Sequence, residues 1–248
     1  MRFQINGSRA SRPVILHAKE CTVNSLYETS YDELLQPGPL MLETGVRRLD
    51  DGRLLVAART ELPGCAGRMF DWWFTFFEST RHIRWWHPHD HVELRGWDGR
   101  RRPGRGYVGA TVRAVEALGE IPPVPAVLKF HPPETFFGAG RLSAALARGD
   151  ASAAVCARIA FGEEPRLSPD GDPLDGEMVH LTRDTAHGAV LRSRFLLGAA
   201  DGVGEPVPER LGLELMRHCY NEFSCLARLL PSLYYGEHAN GEKGPLAW

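Results

Sequence analysis

The sequence predicts an α+β domain in which a curved antiparallel sheet wraps around one long C-terminal helix and leaves a cavity between them. Two observations predict this fold. Strand-like segments follow one another through residues 106–198, and an uninterrupted helical pattern, LELMRHCYNEFSCLARLL, comes after them. In addition, no internal repeat or low-complexity segment is visible, which favours one large domain.

The composition excludes several classes of partner. The chain has 248 residues, 43% of them hydrophobic, which is enough for a substantial core. With 29 basic and 31 acidic residues, no global field attracts nucleic acid or an anionic membrane, so a small molecule or a protein is the expected partner. Neither a signal peptide nor an apolar run of about 20 residues is present, and a cytoplasmic location is predicted. Five cysteines without a CxxC pair argue against disulfides and a thiolate zinc site.

The N-terminal region differs in pattern from the rest of the chain. Residues 1–64 combine Pro, Gly and mixed charge with short strand-like pieces such as 53–60, and we expect them to form an arm or lid on the main domain, residues 65–248. The segment GRMFDWWFTFF at 67–77 is dense in large apolar residues and predicts a buried helix. The arginine-rich segment 96–106 predicts a solvated or anion-facing loop.

The second half of the chain supplies the sheet and the final helix. Its strand-like segments are GYVGATVRAVEA, VPAVLKFHP, ASAAVCARIAF, EMVHLTRDTA and GAVLRSRFLLG. The last two are joined at a short turn around His187 and Gly188, which predicts a hairpin. The final helix is expected over about 207–230 and to end at Pro231, because proline cannot continue a helix.

Two polar residues interrupt the apolar face of the final helix. His218 and Glu222 share one face with Leu211, Leu215 and Leu226 because they recur at spacings of three and four. An ionised Glu that faces a core needs a cation, a metal or a proton, and a pair four residues apart can bind one ion. Two other interpretations remain: a hydrogen bond on a partly exposed stripe, or a buried polar pair that sets the helix register.

A second carboxylate falls on an apolar face. Alternation along the strand that follows Tyr107 places Val112, Ala114 and Glu116 on the same side, which points Glu116 inward. The alternative is a strand end at which Glu116 reaches solvent.

The stretch HIRWWHPHDH at 82–91 carries four histidines, one aspartate and two tryptophans. Zinc and similar ions favour imidazole nitrogen and carboxylate oxygen. A metal site drawn from a loop, a strand and a helix then comprises His91, Glu116, His218 and Glu222. Trp85 and Trp86 would form its apolar wall, although core tryptophans and surface histidines are the alternative interpretation. The helix that carries two tryptophans earlier in the chain would line either the cavity or a homodimer interface.

Five segments in this order carry a family resemblance: FDWWFTFF, WWHPHDH, VEALG, LRSRFLLG and HCYNEFSCLARLLPSLY. From about residue 65 to 235 the chain resembles the 2,4-diacetylphloroglucinol hydrolase and phloretin hydrolase family. The resemblance implies a Bet v 1-like helix-grip fold. It also implies a metal-dependent hydrolase that uses a metal-activated water to cut the carbon–carbon bond between an acyl group and a polyhydroxylated ring, as in acylphloroglucinols or phloretin.

The resemblance assigns roles to individual residues. The metal ligands that it implies are the same four residues, with one Zn²⁺ per chain and a small aromatic ketone as substrate. His87, His180 and a metal-bound water are candidates for the general acid that protonates the leaving ring carbon, and the sequence does not choose among them. The other interpretation of His180 is a core histidine that is hydrogen-bonded to the backbone. Substrate contacts are expected from Trp85, Trp86 and Asn221. The sequence departs from the family at Ile83, where members tend to have a tyrosine that can hydrogen-bond a phenolic hydroxyl.

Two other functions are compatible with the same pattern. A cavity of this fold can belong to a non-catalytic protein that binds a hydrophobic ligand. Alternatively, the same histidine and carboxylate set can hold iron in a non-haem oxygen-dependent enzyme.

Overall fold

The computed structural model describes residues 31–102, 106–198 and 205–237. Its framework is one antiparallel eight-stranded sheet with the strand order β1-β2-β8-β7-β6-β5-β4-β3. The strands are β1 (Gly45–Arg48), β2 (Leu54–Pro63), β3 (His91–Trp97), β4 (Thr111–Leu118), β5 (Ile121–His131), β6 (Ala153–Phe161), β7 (Gly176–Thr185) and β8 (Gly188–Leu197). The helices are α1 (Gly67–Phe76), α2 (Thr80–Trp86), α3 (Arg141–Arg148), α4 (Glu209–Ala227) and α5 (Leu230–Glu237).

The predicted α+β helix-grip arrangement is confirmed. The inner face of the sheet and helices α1, α2 and α4 share one buried core, in which Phe223 and Leu226 of α4 pack with Leu54 and Phe195 of the sheet. The predicted hairpin is also present, since β7 and β8 pair from Gly176↔Leu197 to Thr185↔Gly188. The alternating apolar residues of the strands therefore face the helix, as period-two burial requires.

The expectation of a separate N-terminal arm over residues 1–64 is wrong for residues 45–63. They form β1 and β2, and β2 pairs along its whole length with β8, from Leu54↔Leu197 to Pro63↔Gly188. Proline and glycine at the turns obscured this strand pair in the sequence, although RLLVAART was visible as a strand. Residues 1–30 lie outside the described residues.

Residues 31–44, the described segment before β1, pack on the outer face of the sheet, on the side opposite α4. They do not cap the cavity. Leu34 and Leu35 lie in an outer apolar cluster with Val179 and Leu181 of β7. Two buried arginines of β8 hold this segment. The Arg192 guanidinium binds the Glu43 carboxylate at 2.7 Å and the Gly38 carbonyl at 2.6 Å. Arg194 Nε binds Glu33 at 3.1 Å.

The C-terminal helix ends earlier than the sequence suggests. Helix α4 stops at Ala227, and Pro231 lies in the first turn of α5, Leu230–Glu237. Proline is tolerated there because the first turn of a helix does not use its backbone N–H groups. Pro231 therefore takes part in starting a new helix rather than ending the previous one.

Two expectations from composition agree with the described part of the chain. Cys65, Cys156, Cys219 and Cys225 are all free thiols, while Cys21 lies outside the described residues. Within the described residues, no helix is both long enough and apolar enough to cross a membrane.

Helix α4 approaches the sheet most closely at Gly212. A Cβ placed on Gly212 would lie 2.7 Å from Leu54 Cδ2 and 3.0 Å from Val46 Cγ1. Leu54 in β2 is fully buried and Val46 in β1 is half-buried against the same core, so these side chains have little room to move. The absence of a side chain at this position therefore sets the distance between α4 and the sheet.

We expect Gly212→Ala to lower the free energy of unfolding by about 1–3 kcal/mol, because overpacking outweighs the better helix propensity of alanine. Urea denaturation followed by circular dichroism measures this. Gly236→Ala in α5 is the matched control, since nothing lies within 4 Å of its Cβ position, and it should be neutral or slightly stabilising. Equal stability of the two variants would contradict the close approach.

Candidate metal centre

The first part of the site is built by the turn that connects α2 to β3. The Ser79 side chain caps the start of α2 by accepting a hydrogen bond from the His82 N–H, and α2 ends at Trp86, two residues before Pro88. In the turn that follows, the Asp90 N–H donates to His87 Nδ1 at 3.0 Å, and the His91 N–H donates to the His87 carbonyl. This compact turn delivers His91 to the first position of a strand rather than to the loop that was expected.

Strand pairing brings the second residue to the site. His91 in β3 lies directly opposite Glu116 in β4, and directly opposed residues of an antiparallel pair have neighbouring side chains on one face. The inward alternation predicted for β4 is confirmed, because Val112, Ala114 and Glu116 all line the cavity. The distance between His91 Nε2 and Glu116 Oε1 is 4.0 Å.

Helix α4 contributes the remaining pair. His218 and Glu222 are one turn apart on its buried face, 4% and 5% exposed. Glu222 Oε2 lies 3.6 Å from His91 Nε2 and 3.9 Å from His218 Nε2. The structure thus brings together all four predicted ligands, and His91, His218 and Glu222 offer donor atoms within 4.8 Å of one another.

The ring orientations suit metal binding. His91 Nδ1 lies 2.8 Å from the Ile83 carbonyl oxygen and His218 Nδ1 lies 3.0 Å from Asp90 Oδ2. Both partners only accept hydrogen bonds, since a carbonyl and an ionised carboxylate have no proton to give. Each Nδ1 therefore carries a proton, and each Nε2 faces Glu222. If an ion were held at that carboxylate, each Nε2 would be the nitrogen free to bind it. A second partner that fixes the tautomer in this way is typical of histidine ligands.

The electrostatics of the cluster also fit a divalent cation. Burial raises the pKa of Glu222 even though His91 and His218 oppose the shift. Burial by itself would lower the pKa of His91, but the hydrogen bond to Glu222 and the charge of Glu116 raise it overall. The buried Glu222 carboxylate is thus stabilised by its interactions with the neighbouring imidazole rings. A divalent ion held by the same donors would supply that charge directly.

Asp90 is a site residue that the sequence reasoning missed. Its carboxylate accepts from His218 and from the Gly119 N–H at 3.0 Å. Although burial opposes the shift, these hydrogen bonds hold the pKa of Asp90 at about 2, so the group is ionised at neutral pH. The available signal was its position one residue before His91. Its partner lies 128 residues away on α4, and no local pattern indicates that contact.

His87 is buried but lies behind the cluster rather than in the cavity. Its ring stacks on that of His218 with centroids 4.8 Å apart, and it is not among the side chains that line the cavity. Its Nε2 lies 3.4 Å from Asp90 Oδ2 without forming a hydrogen bond. Burial and the charge of His218 lower the pKa of His87 to about 4, so it is neutral at physiological pH. His87 therefore packs against His218 outside the cavity, and its donor atoms lie within 4.8 Å of those of Asp90 and His218, a second group that could hold a metal ion.

Of the three predicted substrate contacts, only Trp86 lines the cavity. Trp85 is half-buried on the other side of α2, beside His82 and under the guanidinium of Arg81. Asn221 precedes the buried Glu222 by one position on α4, which rotates its side chain about 100° around the helix axis. Asn221 is therefore exposed. Neither is brought to the cavity. Ile83, where the sequence departs from the resembled family, is a lining residue.

His180 is the predicted general acid that does reach the cavity. It lies on β7, is 1% exposed, and lines the cavity with Phe195 of the neighbouring strand. Its Nδ1 is 2.8 Å from Ser193 Oγ. The hydrogen-bond partner is therefore a side chain, whereas the core interpretation expected a backbone group. Burial lowers the pKa of His180 to about 3, so the ring is neutral at physiological pH.

Fold and site together define a helix-grip protein whose apolar cavity ends at a buried cluster of two histidines and two glutamates. The chain belongs to the DAPG hydrolase PhiG domain family, whose model matches residues 28–235. It is accordingly a hydrolase.

Curated relatives agree with this assignment. A 2,4-diacetylphloroglucinol hydrolase of Pseudomonas protegens is 27% identical over 229 residues, which cover 82% of this chain and 71% of the relative. A phloretin hydrolase of Eubacterium ramulus is 26% identical over 209 residues, covering 75% of this chain and 69% of the relative.

Solved structures are similar at low identity. The major latex-like protein 151 of Panax ginseng is 10% identical with a TM-score of 0.44, covering 71% of this chain and 96% of that one. A START superfamily protein of Mycobacterium smegmatis is 14% identical with a TM-score of 0.42, covering 72% and 98%.

We expect Asp90→Asn to weaken metal affinity about 10- to 100-fold, because the amide supports the His218 ring less well than a carboxylate. Competition with a chromophoric chelator measures the affinity. His89→Ala, an exposed position in the same turn, is the control and should bind metal like the wild type. An unchanged affinity in a folded Asp90→Asn protein would remove Asp90 from the site.

Proposed function

We propose that this chain is a zinc-dependent hydrolase that cleaves the carbon–carbon bond between an acyl group and an aromatic or enolic carbon of a ketone. One observation carries the proposal: two Nε2 atoms and two carboxylates converge in the wall of an apolar cavity in a member of this family. The named relatives act on 2,4-diacetylphloroglucinol and phloretin, which are both aromatic ketones.

The donor set fits a single divalent ion. His91 and His218 would bind through Nε2, with Glu222 and Glu116 supplying carboxylate oxygen, and three or four such ligands suit zinc in a catalytic site. Once bound, the ion supplies a Lewis acid that polarises a ketone oxygen and lowers the pKa of a coordinated water toward about 7.

The chain itself contributes orientation and the exclusion of water. Trp86, Phe130 and Phe195 enclose the substrate so that its reacting carbon lies next to the His/Glu cluster. Asp90 and the Ile83 carbonyl keep both imidazole rings in the orientation that binding requires. Because Glu116 is the most exposed of the four side chains, at 23%, it is the carboxylate best placed to accept a proton from an incoming water.

His180 is the proposed proton donor to the leaving carbon. The His180 ring lines the cavity, and its Nδ1 is paired with the Ser193 hydroxyl. If the Ser193 hydroxyl donates to Nδ1, the neutral ring carries its proton at Nε2, where a ligand in the cavity can take it. His87 is not assigned this role because the His218 ring lies between it and the cavity.

Two alternatives predict different measurements. A non-catalytic carrier of hydrophobic ligands would purify without stoichiometric metal, and its inward polar groups would only hydrogen-bond a ligand. A non-haem iron enzyme would keep the metal but consume dioxygen. The convergence of both Nε2 atoms on Glu222 favours a metal over the carrier.

His218→Ala and Glu222→Ala should each abolish both metal retention and turnover while the far-ultraviolet circular dichroism stays that of a folded protein. Elemental analysis of the purified proteins measures the metal, and quantification of the released carboxylic acid measures turnover. The matched control is Asn221→Ala, one residue from Glu222 but exposed, which should keep one metal per chain. If both ligand variants keep metal and activity, the four-residue site is wrong.

His180→Gln should keep the metal and lower kcat by about 100-fold or more, because positioned proton transfer contributes roughly that factor. Steady-state kinetics and elemental analysis on the same preparation separate the two effects. Should kcat stay at the wild-type value while only stability falls, His180 is a core residue and the proton comes from elsewhere.

A further inference from the structure

The cavity wall beyond the His/Glu cluster is apolar except at one side chain. Among the described lining residues, His180 is the only titratable or amide-bearing group outside that cluster. The Trp86 indole N–H is buried within the wall and faces no free space. The side chains of Ile83, Leu94 and Phe195, which also line the cavity, carry no hydrogen-bonding atom. The described part of the wall therefore provides polar side-chain contacts at two places only, the His/Glu cluster and His180.

A polyhydroxylated ring does not match this wall. In a 2,4,6-trihydroxyphenyl ketone, the carbonyl and one ortho hydroxyl can face the cluster, and His180 can serve one further hydroxyl. The remaining hydroxyl would lose water without gaining a partner. Such an orphaned group weakens binding by about 5-fold or more.

We infer, on the basis of the function proposed above, that the substrate is a ketone whose oxygen atoms are confined to one 1,3-related pair on an otherwise apolar frame. This chemistry occurs in two sources, the apolar 1,3-diketones and the ortho-hydroxyaryl ketones with no further ring hydroxyl. In both, the paired oxygens meet the His/Glu cluster and the rest of the molecule contacts Phe130, Phe195 and their aliphatic neighbours.

The reaction balances without any additional reactant. The oxygen of water forms a bond to one carbonyl carbon, and the bond from that carbon to the central carbon breaks. In an ortho-hydroxyaryl ketone the ring carbon first takes a proton while the hydroxyl loses one, which gives the keto form of the ring, and the electron pair of the broken bond passes into that carbonyl as a phenolate. In a 1,3-diketone the electron pair passes into the second carbonyl as an enolate. The central carbon then takes a proton, for which His180 Nε2 is the nearest assigned donor, and the products are a carboxylic acid and a ketone. A 1,3-diketone thus needs no ring hydroxyls to accept the electrons.

Three probes test the inference on the metal-loaded wild-type protein: benzoylacetone, 2-hydroxyacetophenone and 2,4,6-trihydroxyacetophenone. Dissociation constants come from calorimetry, and products from chromatography. We expect the first two to bind at least about 5-fold more tightly than the trihydroxy compound, and cleavage of one or both identifies the source. Benzoylacetone cleavage would release benzoic or acetic acid.

The variant Phe195→Tyr separates a missing hydrogen bond from simple hydrophobic preference. It adds one hydroxyl to the wall next to His180, whose ring centroid is 5.6 Å from that of Phe195. The wild type is its matched control. In this variant, the ratio of the dissociation constants of the trihydroxy compound and 2-hydroxyacetophenone should fall several-fold. An unchanged ratio would indicate a purely hydrophobic preference and would overturn the inference.

The outcomes distinguish this inference from the proposed function. Tightest binding and cleavage of 2,4,6-trihydroxyacetophenone would overturn the inference and leave the proposed function standing. A protein that holds no metal and cleaves none of the three ketones would overturn the proposed function, and the inference with it.

Discussion

Burial of the Glu222 carboxylate beneath an apolar cavity is the constraint on which the rest of the structure depends. An unpaired charge there would cost several kcal/mol, so neighbours must supply positive charge or protons. The Nε2 atoms of His91 and His218 lie 3.6 and 3.9 Å from Glu222 Oε2, where the proposed metal ion would supply that charge. Their own Nδ1 protons are in turn held by the Ile83 carbonyl and by Asp90. Helix α2, the turn after it, strand β3 and helix α4 must therefore keep one mutual arrangement.

The same constraint explains features far from the cluster. Gly212 lets α4 approach β1 and β2, and this distance determines how deeply His218 and Glu222 enter the cavity. On the opposite face of the sheet, Arg192 and Arg194 hold the segment before β1 through Glu43 and Glu33. That segment covers the outer face, so the inner face is left to the helices and the cavity. Packing of this segment on the outer face of the sheet thus stabilises the fold and leaves the cavity on the inner face free for a ligand.

The division of the cavity into a polar end and an apolar wall relates the fold to its chemistry. A helix-grip fold alone does not distinguish a carrier from an enzyme, because function depends on the site that the fold carries. Here the cluster is convergent and supported by Asp90, which a carrier does not require. In contrast, His180 is the only titratable or amide-bearing side chain that the described residues contribute to the rest of the wall. In the proposed function, the His/Glu cluster determines which reaction takes place, and the cavity wall determines which ketones bind.

Periodicity by itself determined the main elements of this protein and three of the site residues, because His218, Glu222 and Glu116 interrupt apolar faces whose spacing is visible in the chain. His91 was found through its residue type and neighbours. Only the tertiary structure decided the rest. The 128-residue separation hides the contact between Asp90 and His218, and one helical position separates the exposed Asn221 from the buried Glu222. The place of strand β2 in the sheet is set by its pairing with β8. Long-range pairing and the exact direction of a side chain depend on packing, which a local pattern does not encode.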